Sequence, residues 1–302
     1  MKILITGASG FLGRHLVREL LVDNHEIIVI GRSKSNLKSI FCDLPCVFET
    51  DYSLESLLNL TKDVDIVIHL ASKLLSRDSH TLMISNFFAN IQILENILIA
   101  AESNKVKKVI QTSSISTYNS SLDYITENMS LVPSNIYGLS KLFNDIFADY
   151  VSEKSSLKVI NLRLARLFGY GEREGLVFSN YIKLAKEKKT LEIHGDGSST
   201  IEYIYVLDVV DAIKKSIIYN NSGTFNIGTG KLFSIKNIAE AVNKVFDNNG
   251  NIRFVESNRN SIQGTLMSSE KAKKMLDWKP IWELETAIKD ILKYSLKEKN
   301  HE

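Results

Sequence analysis

Cysteine and proline are scarce in this chain: 302 residues hold two cysteines, Cys42 and Cys46, and three prolines. Two cysteines four positions apart, without nearby metal-ligand partners, frame neither a disulfide scaffold nor a metal site, so both read as structural residues of a reducing compartment. An excess of one charge is also missing, since 37 Lys and Arg face 35 Asp and Glu for a net +2. No electrostatic footprint for nucleic acid or acidic membrane results, and a small-molecule partner is favoured. Nor does any apolar run reach the roughly 18 unbroken residues of a membrane span. The most apolar long segment, Ile84 to Ala101, is interrupted by Asn86, Asn90, Gln92, Glu95 and Asn96 and reads as a buried helix flanking a sheet. The amino terminus enters a strand at once, leaving no basic or cleavable leader, so a soluble cytoplasmic protein is expected. No repeat or low-complexity linker stands out, and the Lys-rich tail from Lys293 reads as a solvated helix end.

The glycines that matter fall at 7, 10 and 13, between an apolar strand opening (Lys2 to Thr6) and Leu12, Leu16, Leu20 and Leu21, which mark one helix face. Small residues there let backbone approach a pyrophosphate, and the helix amino terminus offers free N–H groups and partial positive charge. The spacing is G-x-x-G-x-x-G, not the dinucleotide fingerprint G-x-G-x-x-G, and a glycine loop without a ligand remains the other reading. Downstream, Tyr137-Gly-Leu-Ser-Lys141 places a phenol and an ammonium four residues apart in a helix expected from about Ile136 to Val151, hence on one face. An ammonium beside a phenol favours the phenolate and makes a group able to give or take the proton of a carbinol oxygen. Ser114 is placed to hydrogen-bond the same oxygen. A Tyr–Lys pair at this spacing is usually a surface pair, and the glycine turn is what changes its meaning.

Thr6-Gly-Ala-Ser-Gly-Phe-Leu-Gly13, Asp65-Ile-Val-Ile-His-Leu-Ala-Ser72, Val109-Ile-Gln-Thr-Ser-Ser114 and the Tyr137–Lys141 segment together resemble the extended short-chain dehydrogenase/reductase family, which holds nucleotide-sugar epimerases, dehydratases and 4-keto-sugar reductases. Asn90, Pro133, Leu162-Arg163, Phe168-Gly169, Gly195-Asp-Gly197, Tyr205-Val206 with Asp208, and Phe225-Asn-Ile-Gly228 extend the likeness along nearly the whole chain. The resemblance implies Ser114, Tyr137 and Lys141 as the catalytic set, with Lys141 also on the nicotinamide ribose. It implies Gly7, Gly10, Phe11, Leu12 and Gly13 at the pyrophosphate, Asp51 and Tyr52 at the adenine, and Leu70, Ala71 and Ser72 in a loop under the cofactor. Asp51 reads equally as a helix cap before Ser53, and His69 as a packed strand-end residue. No metal is expected.

The end of the second strand carries cofactor choice. A carboxylate there accepts the ribose hydroxyls of NAD and repels the 2′-phosphate of NADP, but Gly31 holds the place and Arg32 follows. NADP is therefore preferred and NAD possible, with an Arg that only stacks on adenine as the bland reading. Family dehydratases place an Asp-Glu pair just after the catalytic hydroxyl, where this chain has Ile115 and Ser116. At the substrate, the resemblance implies Ser116, Arg166 and Arg259, while Ile201 stands where family members carry a diphosphate-binding Arg. Either Arg neutralises a diphosphate or serves the structure. Reduction of the 4-keto group of a nucleoside-diphosphate deoxysugar is the expected activity. A 4-epimerase is the alternative, and a non-catalytic cofactor-binding regulator or scaffold the reading of another class. The expected architecture is α/β: a Rossmann-type doubly wound parallel sheet over 1–167 with a return segment at about 203–218, and a smaller mixed substrate lobe over 168–302, with a homodimer as the expected assembly.

Overall fold

The computed structural model describes residues 1–302 apart from 43, 45, 74–79, 120–122, 249, 258, 259 and 300–302. The chain begins with alternating strands and helices: β1 (Lys2–Thr6), α1 (Phe11–Val22), β2 (Glu26–Gly31), α2 (Lys34–Ile40), β3 (Val47–Glu49), α3 (Leu54–Leu60), β4 (Ile66–His69), α4 (His80–Ser103) and β5 (Lys108–Ser114). A short strand β6 (Tyr124–Ile125) precedes α5 (Ile136–Lys154) and β7 (Lys158–Leu164). Then come β8 (Arg166–Phe168), α6 (Val177–Lys186), β9 (Leu191–His194), β10 (Thr200–Tyr205), α7 (Val206–Ile218) and β11 (Gly223–Ile227). The chain closes with β12 (Leu232–Ser234), α8 (Ile235–Val245), β13 (Ile252–Val255), β14 (Leu266–Met267), α9 (Glu270–Met275) and α10 (Leu284–Lys299).

Seven strands form one sheet in the order β11-β7-β5-β4-β1-β2-β3, with every pairing parallel. A parallel sheet covered on both faces needs strands that are apolar throughout. Ile3 and Ile5 pack toward α1 and α7, with Leu16, Leu20, Val209 and Ile213. Leu4 and Ile30 face α3, α4 and α5, with Leu57, Leu94, Leu98 and Ala148. The strand order reverses between β1 and β4, so the carboxyl ends of those strands open the crevice that a doubly wound sheet offers a ligand.

The second lobe holds a three-stranded sheet, β12-β10-β8, and the pair β13-β9, packed on α6, α8 and α10. An aromatic core joins them, with Phe168 stacked on Phe178 at 4.2 Å between ring centres and Tyr203 edge-on to Phe178 at 4.9 Å. The return to the first lobe runs farther than 203–218. After α7 the chain adds β11, the edge strand beside β7, in register from Gly223↔Ile160 to Ile227↔Leu164. Lys108, buried at the start of β5, fixes that return: its Nζ donates to the carbonyls of Ser216, Ile217 and Tyr219 at 2.9, 2.6 and 2.5 Å, where α7 ends with acceptors left over. On α1 the buried face is Leu16, Val17 and Leu20, whereas Leu21 is exposed. A run of four leucines spans more than one face of a helix, and the 3.6-residue period places position 21 toward solvent.

Among the described residues, one segment, Met83–Ser103 of α4, is long and apolar enough to cross a membrane on length and composition alone. Its Leu94, Ile97, Leu98, Ala100 and Ala101 are packed in the core. Toward its amino end Ile84 and Phe88 are exposed, as are Leu139, Phe143, Ile146 and Tyr150 on α5, the helix packed against α4.

Candidate active site

Two close backbone approaches build the crevice. At the β1–α1 turn Gly7 has φ +71°, and a Cβ there would lie 2.6 Å from Ala71 N and 2.7 Å from the Leu70 carbonyl carbon. A Cβ on Gly13 would lie 2.3 Å from Gly7 O. Both positions exclude any side chain, which draws the turn down onto the 70–72 loop. Helix α1 then begins at Gly10 without a side-chain cap and without acidic residues in its first turn. Phe11 and Leu12 thus present a cradle suited to an anionic pyrophosphate.

The loop beneath that cradle is pinned by Thr6, His69 and Asn90, to which the motif reading gave no site role. Thr6 Oγ1 accepts the Ala71 N–H at 3.1 Å and shares a hydrogen bond with His69 Nδ1 at 2.8 Å. Burial, reinforced by the Lys141 charge, lowers the His69 pKa to about 3, so the ring is a neutral structural partner at the strand end. Asn90 clamps Lys73 from both sides, accepting its N–H at 2.7 Å and donating to its carbonyl at 3.0 Å. The sequence-level signal for both was a polar residue inside an apolar element.

At the other wall, α5 starts at Asn135, whose side chain accepts the Gly138 N–H at 2.8 Å. A Cβ on Gly138 would stand 1.9 Å from Ser116 O and 3.0 Å from Pro133 Cβ, so the missing side chain presses the first turn of α5 onto the segment that follows Ser114. Tyr137 and Lys141 leave this helix together, Lys141 Nζ 5.9 Å from the Tyr137 ring centre. Lys141 is buried and donates to Thr112 O at 2.9 Å, while Tyr137 is 38% exposed to the crevice. Ser114 ends β5 nearly buried, its Oγ accepting the Ser116 N–H at 3.1 Å. Ser116 is half-buried beside it.

The residues expected at the adenosine lie just ahead of α3 and at the end of β2. Asp51 is exposed and its Oδ1 accepts the Ser53 N–H at 2.9 Å; Ser53 itself caps α3. These backbone and side-chain bonds from Ser53 hold the Asp51 carboxyl below its usual range. Tyr52 has φ +64° and is 6% exposed, with burial pushing its phenol up to about 12 against the opposing influence of Arg32 and the Gly7 N–H. Arg32 is exposed. Across from Gly31, in register on β3, stands Glu49, whose Oε2 lies 3.4 Å from Lys34 N. A carboxylate therefore stands one strand away from the place where its absence was read.

The substrate-side residues are spread more widely. Arg166 on β8 is exposed, its guanidinium 5.8 Å from the centre of the Tyr203 ring. Ile201 is half-buried opposite Phe233. Glu172, half-buried, accepts the Ser179 N–H at 2.7 Å, and burial pushes its carboxyl up to about 7 against the pull of that bond and of Arg166. Arg259 lies outside the described residues. No group of three or more metal-ligating side chains occurs among the described residues.

A family model described as "NAD dependent epimerase/dehydratase family" matches residues 3–228, three quarters of the chain and ending just past β11. Among curated relatives, an uncharacterized UDP-glucose epimerase of Bacillus subtilis is 27% identical, with 97% of this chain and 98% of that protein covered. A dTDP-4-dehydro-6-deoxyglucose reductase of Escherichia coli is 25% identical over 96% of each. Among solved structures, a UDP-N-acetylglucosamine 4-epimerase from Bacillus cereus superposes with a TM-score of 0.85 at 29% identity, covering 96% of this chain and 95% of that one. A UDP-glucuronic acid 4-epimerase from Bacillus cereus, in complex with UDP-glucuronic acid and NAD, superposes with a TM-score of 0.84 at 25% identity, covering 99% and 100%.

The Gly138 contact yields a direct test of how the site is assembled. Gly138→Ala forces α5 away from Ser116 and is expected to lower unfolding stability by about 3 kcal/mol, the upper range of overpacking. Urea unfolding measures it, and a variant as stable as the parent would mean that helix and turn are not pressed together as described.

Proposed function

Because the chain belongs to the NAD dependent epimerase/dehydratase family, we propose that it is a nicotinamide-dependent enzyme working by hydride transfer at the 4-position of a nucleoside-diphosphate sugar. The observation that supports this reading is that Tyr137 and Lys141 leave α5 together, Lys141 bonded to Thr112 O on β5, while the first turn of α5 rests on Ser116 O, two residues past Ser114. When bound, a nicotinamide dinucleotide supplies acceptance and return of a hydride. Tyr137 takes the proton of the sugar hydroxyl and can give it back, which is general acid–base catalysis at one oxygen. Lys141, tethered to Thr112 O, keeps positive charge beside the phenol. Ser114 donates a hydrogen bond to the same sugar oxygen. With Ile115 and Ser116 following Ser114, no carboxylic acid is at hand for dehydration.

The same half-reaction ends in reduction or in epimerisation depending on the cofactor. Arg32 favours the 2′-phosphate of NADP and net reduction, the outcome expected from sequence. Glu49, beside Gly31 and at the start of α2, opposes a phosphate and suits ribose hydroxyls. With the Glu49 carboxylate added, an NAD-using 4-epimerase becomes the first reading and an NADPH-dependent 4-keto reductase the second. The relatives and solved structures named above include both kinds of enzyme. For the substrate, Arg166 is the described cation nearest to a role at the diphosphate, since Ile201 carries no charge.

Tyr137→Phe is expected to keep cofactor affinity and to lose on the order of 10²-fold or more in turnover of a UDP- or dTDP-hexose. Full turnover by this variant would end the proposed mechanism. For cofactor choice, fluorescence titration should show NADH bound at least as tightly as NADPH. Arg32→Ala should weaken NADPH by roughly 10- to 100-fold, the size of a charged hydrogen bond, while Glu49→Gln strengthens it. Tighter NADPH binding by the parent would return the reductase to first place.

Calorimetry with UDP and dTDP in the presence of cofactor tests the substrate class, with Arg166→Ala expected to weaken either nucleotide by about 10-fold and to leave the cofactor unaffected. Absence of binding by both nucleotides at millimolar concentration would remove the nucleotide-sugar assignment. The exposed apolar face of α4 and α5 supports a two-fold homodimer, because the same patch on a second copy covers it. Sedimentation should show a dimer that Phe88→Glu with Ile146→Glu converts to monomer, and a monomeric parent protein would refute the pairing.

A further inference from the structure

Beneath the catalytic set lies a buried ion pair that the proton transfer does not use. Arg163 in β7 and Asp145 on α5 have side chains 5% and 1% exposed, and Arg163 Nε donates to Asp145 Oδ2 at 2.9 Å. Ser113 Oγ donates to the same oxygen at 3.0 Å. On its other side Arg163 Nη1 donates to the Tyr118 hydroxyl at 2.8 Å, and that hydroxyl donates to Asn226 Oδ1 at 2.7 Å. Glu127 Oε1 accepts the Asn226 N–H at 2.9 Å. One guanidinium thus reaches helix α5 through Asp145, the residue before Ser114 through Asp145 and Ser113, and the turn after Ser114 through Tyr118.

Sequence spacing ties this hub to the reacting groups. Asp145 follows Lys141 by four residues and Tyr137 by eight, about 6 and 12 Å along one helix face. Burial pushes the Asp145 carboxyl up to about 6, with the Arg163 charge opposing. The other charged groups around it are Asp149 one turn onward on α5, held by Asn161 Nδ2 at 2.8 Å, and Glu127 beyond Asn226. His69, near Lys141, is neutral. A buried pair of this kind is weak evidence for added stability, so another role is the better account of it.

We propose that Arg163 is a positioning residue for Ser114, Tyr137 and Lys141, locking the strand end and turn around Ser114 to helix α5, and that Asp145 neutralises the guanidinium so that its charge does not reach Tyr137. The proposal rests on the proton relay argued above. Two measurements on the protein loaded with NAD test it without any sugar substrate. In Tyr118→Phe, which keeps the ring and removes the link to Arg163, the amides of Ser116 and Thr117 should exchange hydrogen at least 10-fold faster while those of Leu12 and Gly13 do not change. In Asp145→Asn the guanidinium stays charged and uncompensated. Carbon-labelled tyrosine followed by nuclear magnetic resonance should then show the Tyr137 signal titrating about one pH unit lower than in the parent, the size of a unit charge at about 12 Å in an effective dielectric near 20. The neutral pair Asp145→Asn with Arg163→Met should return the titration to the parent position. An unmoved Tyr137 titration in Asp145→Asn overturns the insulating role. Unchanged exchange in Tyr118→Phe overturns the positioning role and stands even if Asp145→Asn does not fold. Because neither readout involves a nucleotide sugar, failure of the substrate assignment is told apart from failure of this inference, and turnover by Tyr137→Phe tests the relay itself.

Discussion

Backbone lying directly on backbone is the constraint from which this site follows. At Gly7 the β1–α1 turn rests on the Leu70–Ala71 peptide, and at Gly138 the first turn of α5 rests on Ser116 O. A single methyl at either place would overlap main-chain atoms that have no freedom to move aside. The first approach sets the depth of the cofactor cradle, and the second sets the distance between the helix carrying Tyr137 and Lys141 and the strand end carrying Ser114. Neither gap is held open or closed by a salt bridge or a metal among the described residues; both are set by the absence of a side chain.

Carboxylates supply the second recurrent device, as acceptors for loop amides that no helix or strand satisfies. Asp208 Oδ1 and Oδ2 accept the N–H groups of Ile281 and Trp282, fastening the segment that leads into α10. Glu202 accepts from Gly230 at 2.7 Å and Met267 at 2.6 Å, and so joins β10 to the loop before β12 and to strand β14. Burial raises both acids, Asp208 to about 6 and Glu202 to about 7, although the amide bonds work against it. The ordering of irregular chain in the second lobe is therefore bound up with buried titratable groups.

Local pattern revealed much of this molecule. The apolar strand openings, the glycine turn and the Tyr137–Lys141 spacing are short-range features, and they foretold the doubly wound parallel sheet with its helices. What escaped depended on residues far apart in sequence. Glu49 was invisible as a partner of Gly31 because only strand pairing between β2 and β3 sets them side by side. Arg163 and Asp145, eighteen positions apart on a strand and a helix, carry no local signature of pairing. Strand β11 was missed because the Phe225–Gly228 segment matched a family motif without showing which edge it would join. Leu21 was misread by counting leucines instead of tracing the 100° step of the helix.

The return of the chain at β11 also has a temporal side. Ribosomes deliver residues in order, so β7 emerges and lies as an open edge while the segment from β8 through α7 up to Ser222 is still being made. During that interval Lys108 has no α7 carbonyls to donate to, because Ser216, Ile217 and Tyr219 have not yet arrived. The first lobe is first in sequence but not first to be complete: its sheet closes only after β8, α6, β9, β10 and α7, which lie between β7 and β11, have been synthesised. A nascent chain stalled inside that segment would carry Ser114, Tyr137 and Lys141 on a sheet with an unpaired parallel edge, the kind of surface that invites pairing with another chain.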